Sequence, residues 1–444
     1  MSGTTESSRP GPSSRRDSAW PGPPSSADSI SPSSGTPGAH PGRRLRLVVP
    51  RYGEGVNGGS EALVRRLAQA LAGRRWEVEV WTTTARDEQT WSPAFPAGDD
   101  MDGPVRLRRF PVVGRRQPEA FRQLSRVVFR LPANLRPETP WVGAQGPFAP
   151  ALIRALASSV DRPTVFMPYL YYPTLWGLPA APHPRLLIPA AHDEPPLRLR
   201  AVARAVAAAD GLWYSTEEER GLLEGIHPVA ARRPHAVGTV GMDPSALLDE
   251  NSSRAAAERF RGRHGLSRYL LYAGRLTPGK GVDLLLDGYK LLRPQHPEVS
   301  LVLIGDAAVP DRLPPGAISL GWVDDQERLE ALAGAAAVIV TSRLESLSLV
   351  ALEAWGCGRP CLLNGASPVL SGQAERSGGA LLFDSPASLA DAAAQLLDDP
   401  AAADQRGAAG RRYVALHHRW GEVIRRLEGL LAATARSGTG EGRP

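Results

Sequence analysis

The sequence predicts an α/β protein made of two successive units, each built on a parallel sheet. Apolar runs of strand length alternate with amphipathic helical stretches from Leu45 almost to the C-terminus, the pattern of stacked βαβ units with right-handed crossovers. The 444 residues leave room for two sizeable cores. The stretch Thr341 to Pro360, TSRLESLSLVALEAWGCGRP, is the clearest single unit. The apolar strand Ala335 to Val340 enters a turn, and a helix carrying Leu347, Leu349, Val350, Leu352 and Ala354 then runs to Gly356 and Gly358. Such a turn lies at the carboxyl end of its strand, where open α/β sheets bind ligands.

Residues 1–42 are rich in Ser, Pro and Gly and nearly devoid of apolar residues, so the stretch reads as a disordered tail. LRLVVP, from Leu45, is the first strand; RYGEGVNGGSE is a glycine-rich turn, ALVRRLAQALAGR a helix, and Trp76 to Thr84 the next strand. Gly58 and Gly59 stand where that helix begins and let a phosphate or substrate approach backbone N–H groups. The turn lacks the G-x-G-x-x-G spacing of a dinucleotide site. Asp99, Asp100 and Asp102 read as a solvated acidic turn rather than a metal motif, because no strand precedes them. Between Arg106 and Arg136, VRLRRFPVV is a strand and FRQLSRVVFRL an amphipathic helix. Its Arg122, Arg126 and Arg130, at four-residue spacing, form a solvated basic face or a surface for anionic lipid.

The alternation continues with a strand at Thr164 to Met167, RLLIPAAH as a strand ending at His192, the helix LRLRAVARAVAAA, the strand GLWYST, and a last strand HAVGTVGMD near Asp243. His192 is thereby placed at a strand end that faces the ligand side of the sheet, which makes it a candidate substrate contact. Tyr169, Tyr171, Tyr172 and Trp176 read as packing aromatics. Asn251 to Gly265 reads as the connection between units. The second sheet follows with YLLYAGRL, the turn TPGKG, the helix VDLLLDGYKLLR, VSLVLIGDA, AISLGWVD, a helix around Leu329 to Ala333, AAVIV, the Thr341–Pro360 stretch and RPCLLN. An amphipathic segment at Trp420 to Ala433 closes the chain. The units are accordingly drawn at 43–250 and 251–419, with a closing segment at 420–444.

Composition narrows the function classes. Hydrophobic residues are 42% and charged residues 22%, ordinary for a globular protein. No apolar run approaches the ~18 residues of a membrane span, and no basic-then-apolar leader opens the chain. Cys357 and Cys361 are too few for a zinc site and read as buried thiols in a reducing, cytoplasmic setting. The formal charge is +6, and all basic residues except Lys280 and Lys290 are arginine. That balance suits an anionic substrate or membrane surface; nucleic-acid motifs are missing.

Four charged residues carry the chemistry. Arg275 and Lys280, in A-G-R-L-T-P-G-K-G at a strand end, are two cations in a tight loop framed by glycine and proline. They suit a diphosphate, arginine as a fork and lysine as a point charge. Glu345 enters the turn before the apolar helix, and Glu353 lies inside that helix. A buried carboxylate costs several kcal/mol unless it is paired or hydrogen-bonded. Hydroxyls of a sugar or ribose would satisfy it, and so would an arginine.

Glu345 and Glu353 within S-R-x-E-S-x-S-L-V-x-L-E-A-x-x-C-G-x-P resemble the donor-site signature of family-four glycosyltransferases. The loop A-G-R-L-x-x-x-K-G, the first-loop G-G-x-E and the loop H-D-E-P-P resemble other parts of the same family, over residues 45–431. The resemblance implies the GT-B fold: two Rossmann-like domains with parallel sheets facing a central cleft, and a C-terminal helix returning to the first domain. It implies transfer of a sugar, with retention, from a UDP- or GDP-linked donor to a glycan, lipid-linked or small-molecule acceptor; no metal ligands are evident in the sequence, so catalysis without metal or cofactor is expected. By position, Arg275 and Lys280 would bind the pyrophosphate, and the N–H groups of Ser348, Leu349 and Val350 would add phosphate contacts. Glu353 would hold the ribose, Glu345 the transferred sugar. His192 would contact the sugar at its reacting face, and Gly58 and Gly59 would allow close approach from the first domain. A nucleotide-sugar epimerase and a non-catalytic partner subunit are the alternatives. Ser348, where glycine is common, and Trp355, where a smaller residue is common, are the departures.

Overall fold

A computed structural model describes residues 43–440 except 57, 160–161, 243–248 and 306–312, and structural statements here concern those described residues. The Ser/Pro/Gly tail, Asp243 and Asp306 lie outside them.

Two sheets organise the chain. The first contains β1 (Arg44–Val48), β2 (Glu77–Thr83), β3 (Gly98–Asp102), β4 (Val105–Phe110), β5 (Thr164–Phe166), β6 (Arg185–Leu187), β7 (Gly211–Tyr214) and β8 (His235–Val237), in the order β3-β4-β2-β1-β5-β6-β7-β8. The second contains β9 (Arg268–Ala273), β10 (Val299–Ile304), β11 (Ala317–Gly321), β12 (Ala337–Val340), β13 (Cys361–Asn364) and β14 (Ala380–Phe383), in the order β11-β10-β9-β12-β13-β14. Every pairing is parallel except the antiparallel β3–β4 edge. The strand order reverses between β1 and β5 in the first sheet and between β9 and β12 in the second. At such a switch point neighbouring loops diverge to opposite faces and leave a crevice for ligand. The central strands are covered on both faces, so they read as continuous apolar runs: all four residues of β12 are buried.

The final helix, Trp420–Gly440, returns to the first sheet as the resemblance implies. Leu430 and Thr434 lie so close to Gly211 of β7 that a Cβ there would sit 2.8 Å from Thr434 Cγ2 and 3.1 Å from Leu430 Cδ1. His418 accepts the Met242 N–H at 2.7 Å through its carbonyl, beside the start of this helix.

Three local readings need correction. Asn251 to Gly265, read as the connection between units with no element assigned to it, is most of a helix, Glu250–His264. Asp249 caps it by accepting the Ser252 N–H at 2.9 Å, and Gly265, left-handed at φ 62°, ends it. Only Ala256, Ala257 and Phe260 supply its larger apolar contacts, so the apolar period is faint. It pairs with the second unit through Arg259 and Glu330 at 2.7 Å and His264 and Glu327 at 2.9 Å. The acidic Asp99–Asp102 segment is the edge strand β3, not a turn. Arginines offset its charge: Arg65 donates to both oxygens of Asp102 at 2.9 and 3.0 Å, and Arg109 pairs with Asp100. The third correction concerns β6, which ends at Leu187, so His192 stands five residues beyond it in an irregular loop.

The basic helix, Pro118–Arg130, packs Phe121 and Phe129 against Trp141, with ring centroids at 5.6 and 5.2 Å. Arg122, Arg126 and Arg130 face solvent, and Arg122 pairs with Glu119. Tyr169 and Tyr172 are buried, as packing aromatics should be. Cys357 and Cys361 are buried free thiols. Among the described residues no helix is long and apolar enough to cross a membrane.

Trp355 is explained by its neighbours. It is fully buried, its indole N–H donates to Gly379 O at 2.9 Å, and a Cβ on Gly379 would come within 2.6 Å of the indole nitrogen. A Cβ on Gly410 would overlap the ring itself. The large side chain is accommodated by two glycines without side chains. Gly410→Ala should therefore destabilise by about 1–3 kcal/mol through overpacking, read as a lower urea midpoint at unchanged slope; an unchanged midpoint would contradict this packing.

Candidate donor site at the facing loop edges

The loops that follow β9 and β12 meet at the switch point of the second sheet. Gly281 makes the junction possible: it is left-handed at φ 76°, and a Cβ there would lie 2.7 Å from Thr341 O. Thr341 Oγ1 donates to Lys280 O at 2.6 Å, and Asn364 Nδ2 donates to Thr341 O at 2.8 Å. These bonds fix the backbone beneath Lys280. Its Nζ lies 2.8 Å from Glu345 Oε1 and 3.4 Å from Ser342 Oγ. Two residues assigned to different parts of a donor thus form one ion pair, with Lys280 about one-third exposed.

Arg275 is more open, its side chain 60% exposed, and it pairs with Glu88 from the loop after β2. Glu88 also lies 3.3 Å from Arg51. Glu353, 4% exposed, sits between two guanidinium groups: Arg66 Nη2 donates to Oε1 at 2.9 Å, and Arg328 pairs with Oε2. Burial pushes this carboxyl up, but Arg328 and Arg66 more than offset it and hold it below the usual carboxylate range. The sequence left ribose or arginine open as the partner of Glu353; here both oxygens face arginines.

Ser348 caps the helix Leu349–Gly356 by accepting the Ala351 N–H at 3.3 Å, and its own N–H donates to Gln373 Oε1 at 3.2 Å. The Ser348 amide is therefore committed to Gln373 and does not stand open to a phosphate as the sequence reading placed it. The amides of Leu349 and Val350 belong to the first turn, which by helix geometry has no intrahelical acceptor.

The first sheet contributes the other wall. Gly58 caps the helix Gly59–Ala72, and a Cβ on it would overlap the Glu61 carboxylate that pairs with Arg51 at 2.7 Å. Gly59 faces open space. Gly58 thus protects an internal ion pair, whereas Gly59 leaves room for close approach. His192 is about 30% exposed, with Nδ1 3.7 Å from Glu194 Oε1. The two loop edges touch directly: Thr216 Oγ1, just after β7, donates to Ser346 O at 3.2 Å, and Arg376 pairs with Glu218 through two bonds at 2.5 and 3.0 Å. Of the residues named from sequence, Lys280 and Glu345 are brought into direct contact; Arg275 and Glu353, on the same unit, pair instead with Glu88 and with Arg66 and Arg328, and Gly59 and His192 belong to the first unit. Arg66, Arg328 and Glu88 were missed. The buried Glu353 signalled that a cation was needed, but nothing in chain order says which arginine supplies it.

Among the described residues no three His, Cys, Asp or Glu side chains gather as a metal-holding group. Residues 267–399 match a family described as glycosyl transferases group 1, and residues 58–239 match a glycosyl transferase 4-like domain. D-inositol 3-phosphate glycosyltransferase 1 of Catenulispora acidiphila is 28% identical over 271 residues, 55% of this chain and 62% of that one. The Streptomyces avermitilis D-inositol 3-phosphate glycosyltransferase is 33% identical over 50% of this chain and 51% of its own length. The chain thus spans between half and two-thirds of these curated relatives. The structure of sucrose-phosphate synthase from Thermosynechococcus elongatus superposes with TM-score 0.65 at 19% identity, covering 89% of this chain and all of that one. It has the same two-sheet GT-B architecture.

Proposed function

Because this chain belongs to the group 1 glycosyl transferases, we propose that it moves a sugar from a UDP- or GDP-linked donor to an acceptor hydroxyl with retention of configuration. The observation that carries the reading is the Lys280–Glu345 pair beside Arg275 at the second switch point. A diphosphate docked there meets the ammonium of Lys280, the fork of Arg275 once it leaves Glu88, and the first-turn amides of Leu349 and Val350. Glu345, already aligned by Lys280, accepts hydroxyls of the transferred sugar. Glu353 accepts those of the ribose, with Arg328 remaining behind it. His192 and Gly59 close the sugar from the first sheet.

The acceptor oxygen attacks the anomeric carbon on the face the diphosphate leaves. The carbon–oxygen bond to phosphate breaks as the new glycosidic bond forms, and a phosphate oxygen takes the acceptor proton. Lys280 and Arg275 neutralise the departing charge, the part a metal plays elsewhere, so turnover should survive chelation. The relatives' names include inositol phosphate, which supports a small polyol or sugar acceptor. No observation favours the epimerase or the non-catalytic reading.

The test is thermal-shift binding of UDP, GDP and ADP, alone and as sugar conjugates, in EDTA, followed by product analysis with the nucleotide that binds. Ligand at 100 times its Kd stabilises by about 2.7 kcal/mol. A shift with one uracil or guanine nucleotide is expected; no shift with any nucleotide overturns the proposal.

A further inference from the structure

The first sheet holds a buried carboxylate that the transfer reaction does not use. Glu219 lies in the first turn of the helix Glu217–Ile226 and is 1% exposed. Thr216 caps this helix and accepts the Glu219 N–H at 3.2 Å. A glutamate three residues after the cap ordinarily turns back to its own helix start. Here only one oxygen does so: Oε2 accepts the Ser215 N–H at 2.5 Å, while Oε1 reaches across to the Ala191 N–H at 2.7 Å.

Ala191 immediately precedes His192. It follows Ala190, which is left-handed at φ 49°, a conformation that a residue with a Cβ keeps only where its surroundings hold it. The loop lies beyond the end of β6, so no strand pairing at that point does the holding. Its other ties include the Pro189 carbonyl, which accepts the Tyr169 N–H at 2.9 Å, Glu194, which accepts the Tyr169 hydroxyl at 2.8 Å and donates its own N–H to His192 O at 2.9 Å, and Asp193, paired with Arg198 at 2.8 Å. The same helix start also reaches the opposite wall through Thr216 and Ser346. One rigid turn therefore touches both the His192 loop and the Glu345 loop.

We infer that Glu219 is a positioning residue: through the Ala191 amide it sets His192 against the Glu345 side of the donor site. The functional arm of this inference rests on the role proposed for His192; the structural arm does not. Two N–H donors suit an ionised carboxylate, since a protonated one must keep a proton between them. Burial pushes the Glu219 carboxyl up to about 7, opposed by the Ser215 and Ala191 amides and by His192. The hydroxyl of Tyr214 in β7, pushed up by burial and then by Glu224, also feels the Glu219 charge. A folded value above the unfolded one means Glu219 favours folding most in acid. That contribution is lost as pH rises from about 4.5 towards 7. Over the same range the ionised form gains its grip on the loop.

The experiment compares full-length wild type with Glu219→Gln, which keeps shape but can accept through one oxygen only. Diethylpyrocarbonate labelling, read by mass spectrometry, gives the reactivity of His192 against exposed His235 as internal reference. Labelling of His192 should quicken about threefold or more in the variant with His235 unchanged, because the loop opens more often. Turnover of donor should fall about tenfold in kcat with little change in KM, and the loss should vanish in a His192→Ala background. Unchanged His192 labelling, or a turnover loss that persists in His192→Ala, overturns the inference. Should Glu219→Gln fail to fold, Glu219→Asp, whose shorter arm cannot span both amides, carries the same labelling test. Full activity in His192→Ala alone would refute the proposed role of His192, while the labelling result would still decide whether Glu219 holds the loop.

Discussion

Replacing Lys280 by alanine should lower kcat about 10²–10³-fold, the usual cost of removing one charged group that stabilises a transition state, and should leave the fold nearly as stable. The ammonium is not a mobile surface charge. Gly281 and the Thr341–Lys280 hydrogen bond fix its backbone, and Glu345 and Ser342 fix its tip. On the proposed role, a leaving diphosphate would meet an ammonium already held in place. Arg275 does not substitute for it, because its side chain is 60% exposed against 31% for Lys280 and its charge is the more heavily screened. Stability should change by no more than about 1 kcal/mol, since the Lys280–Glu345 pair is partly exposed and such pairs contribute little. Lys280→Arg should also fail to restore full turnover, because a planar fork does not replace a point charge in a tight loop. Single-turnover kinetics with saturating donor check this; a variant within about threefold of wild type would refute the assigned role.

The parts legible in the sequence are those governed by local pattern. The run Ala335 to Val340, its turn and the apolar helix beyond it follow from periodicity alone, and the structure places them as β12 and Leu349–Gly356. The Arg275–Lys280 loop was visible because glycine and proline frame it. What escaped is pairing between distant residues. Arg66 and Glu353 stand 287 positions apart, Arg275 and Glu88 187. With arginine supplying nearly every cation, no local signal selects Arg66 or Arg328 over the rest. Polar segments misled for a related reason. The helix Glu250–His264 buries few large side chains, and β3 is acidic because β4 opposite it carries Arg106, Arg108 and Arg109. Neither writes an apolar period. The end of β6 was overrun because Ile188 and Ala191 are buried by loop packing, which looks like strand in one dimension.

Glu353→Ala should destabilise the protein by about 3–5 kcal/mol, because it strands two guanidinium groups that face a buried site with no other described carboxylate on them but Asp325 beside Arg328. The loss comes less from the attraction removed than from the charge left uncompensated. Arg328→Ala should cost nearly as much, and Arg66→Ala less, since Arg328 then still satisfies the carboxylate. The pH dependence follows from the depressed Glu353 carboxyl. Its stabilisation is fully present above the unfolded value near 4.5 and is lost as pH falls through the lower folded value. Urea unfolding of wild type and Glu353→Ala should thus show a constant gap from neutral pH down to about 5 and a narrowing gap only in stronger acid. Because Arg66 comes from the helix after β1 and Glu353 from the helix after β12, the same substitution loosens the two loop edges from each other. A gap below about 1 kcal/mol at pH 7 would mean that the arginines find water as good a partner as Glu353, and that this contact does not hold the two edges together.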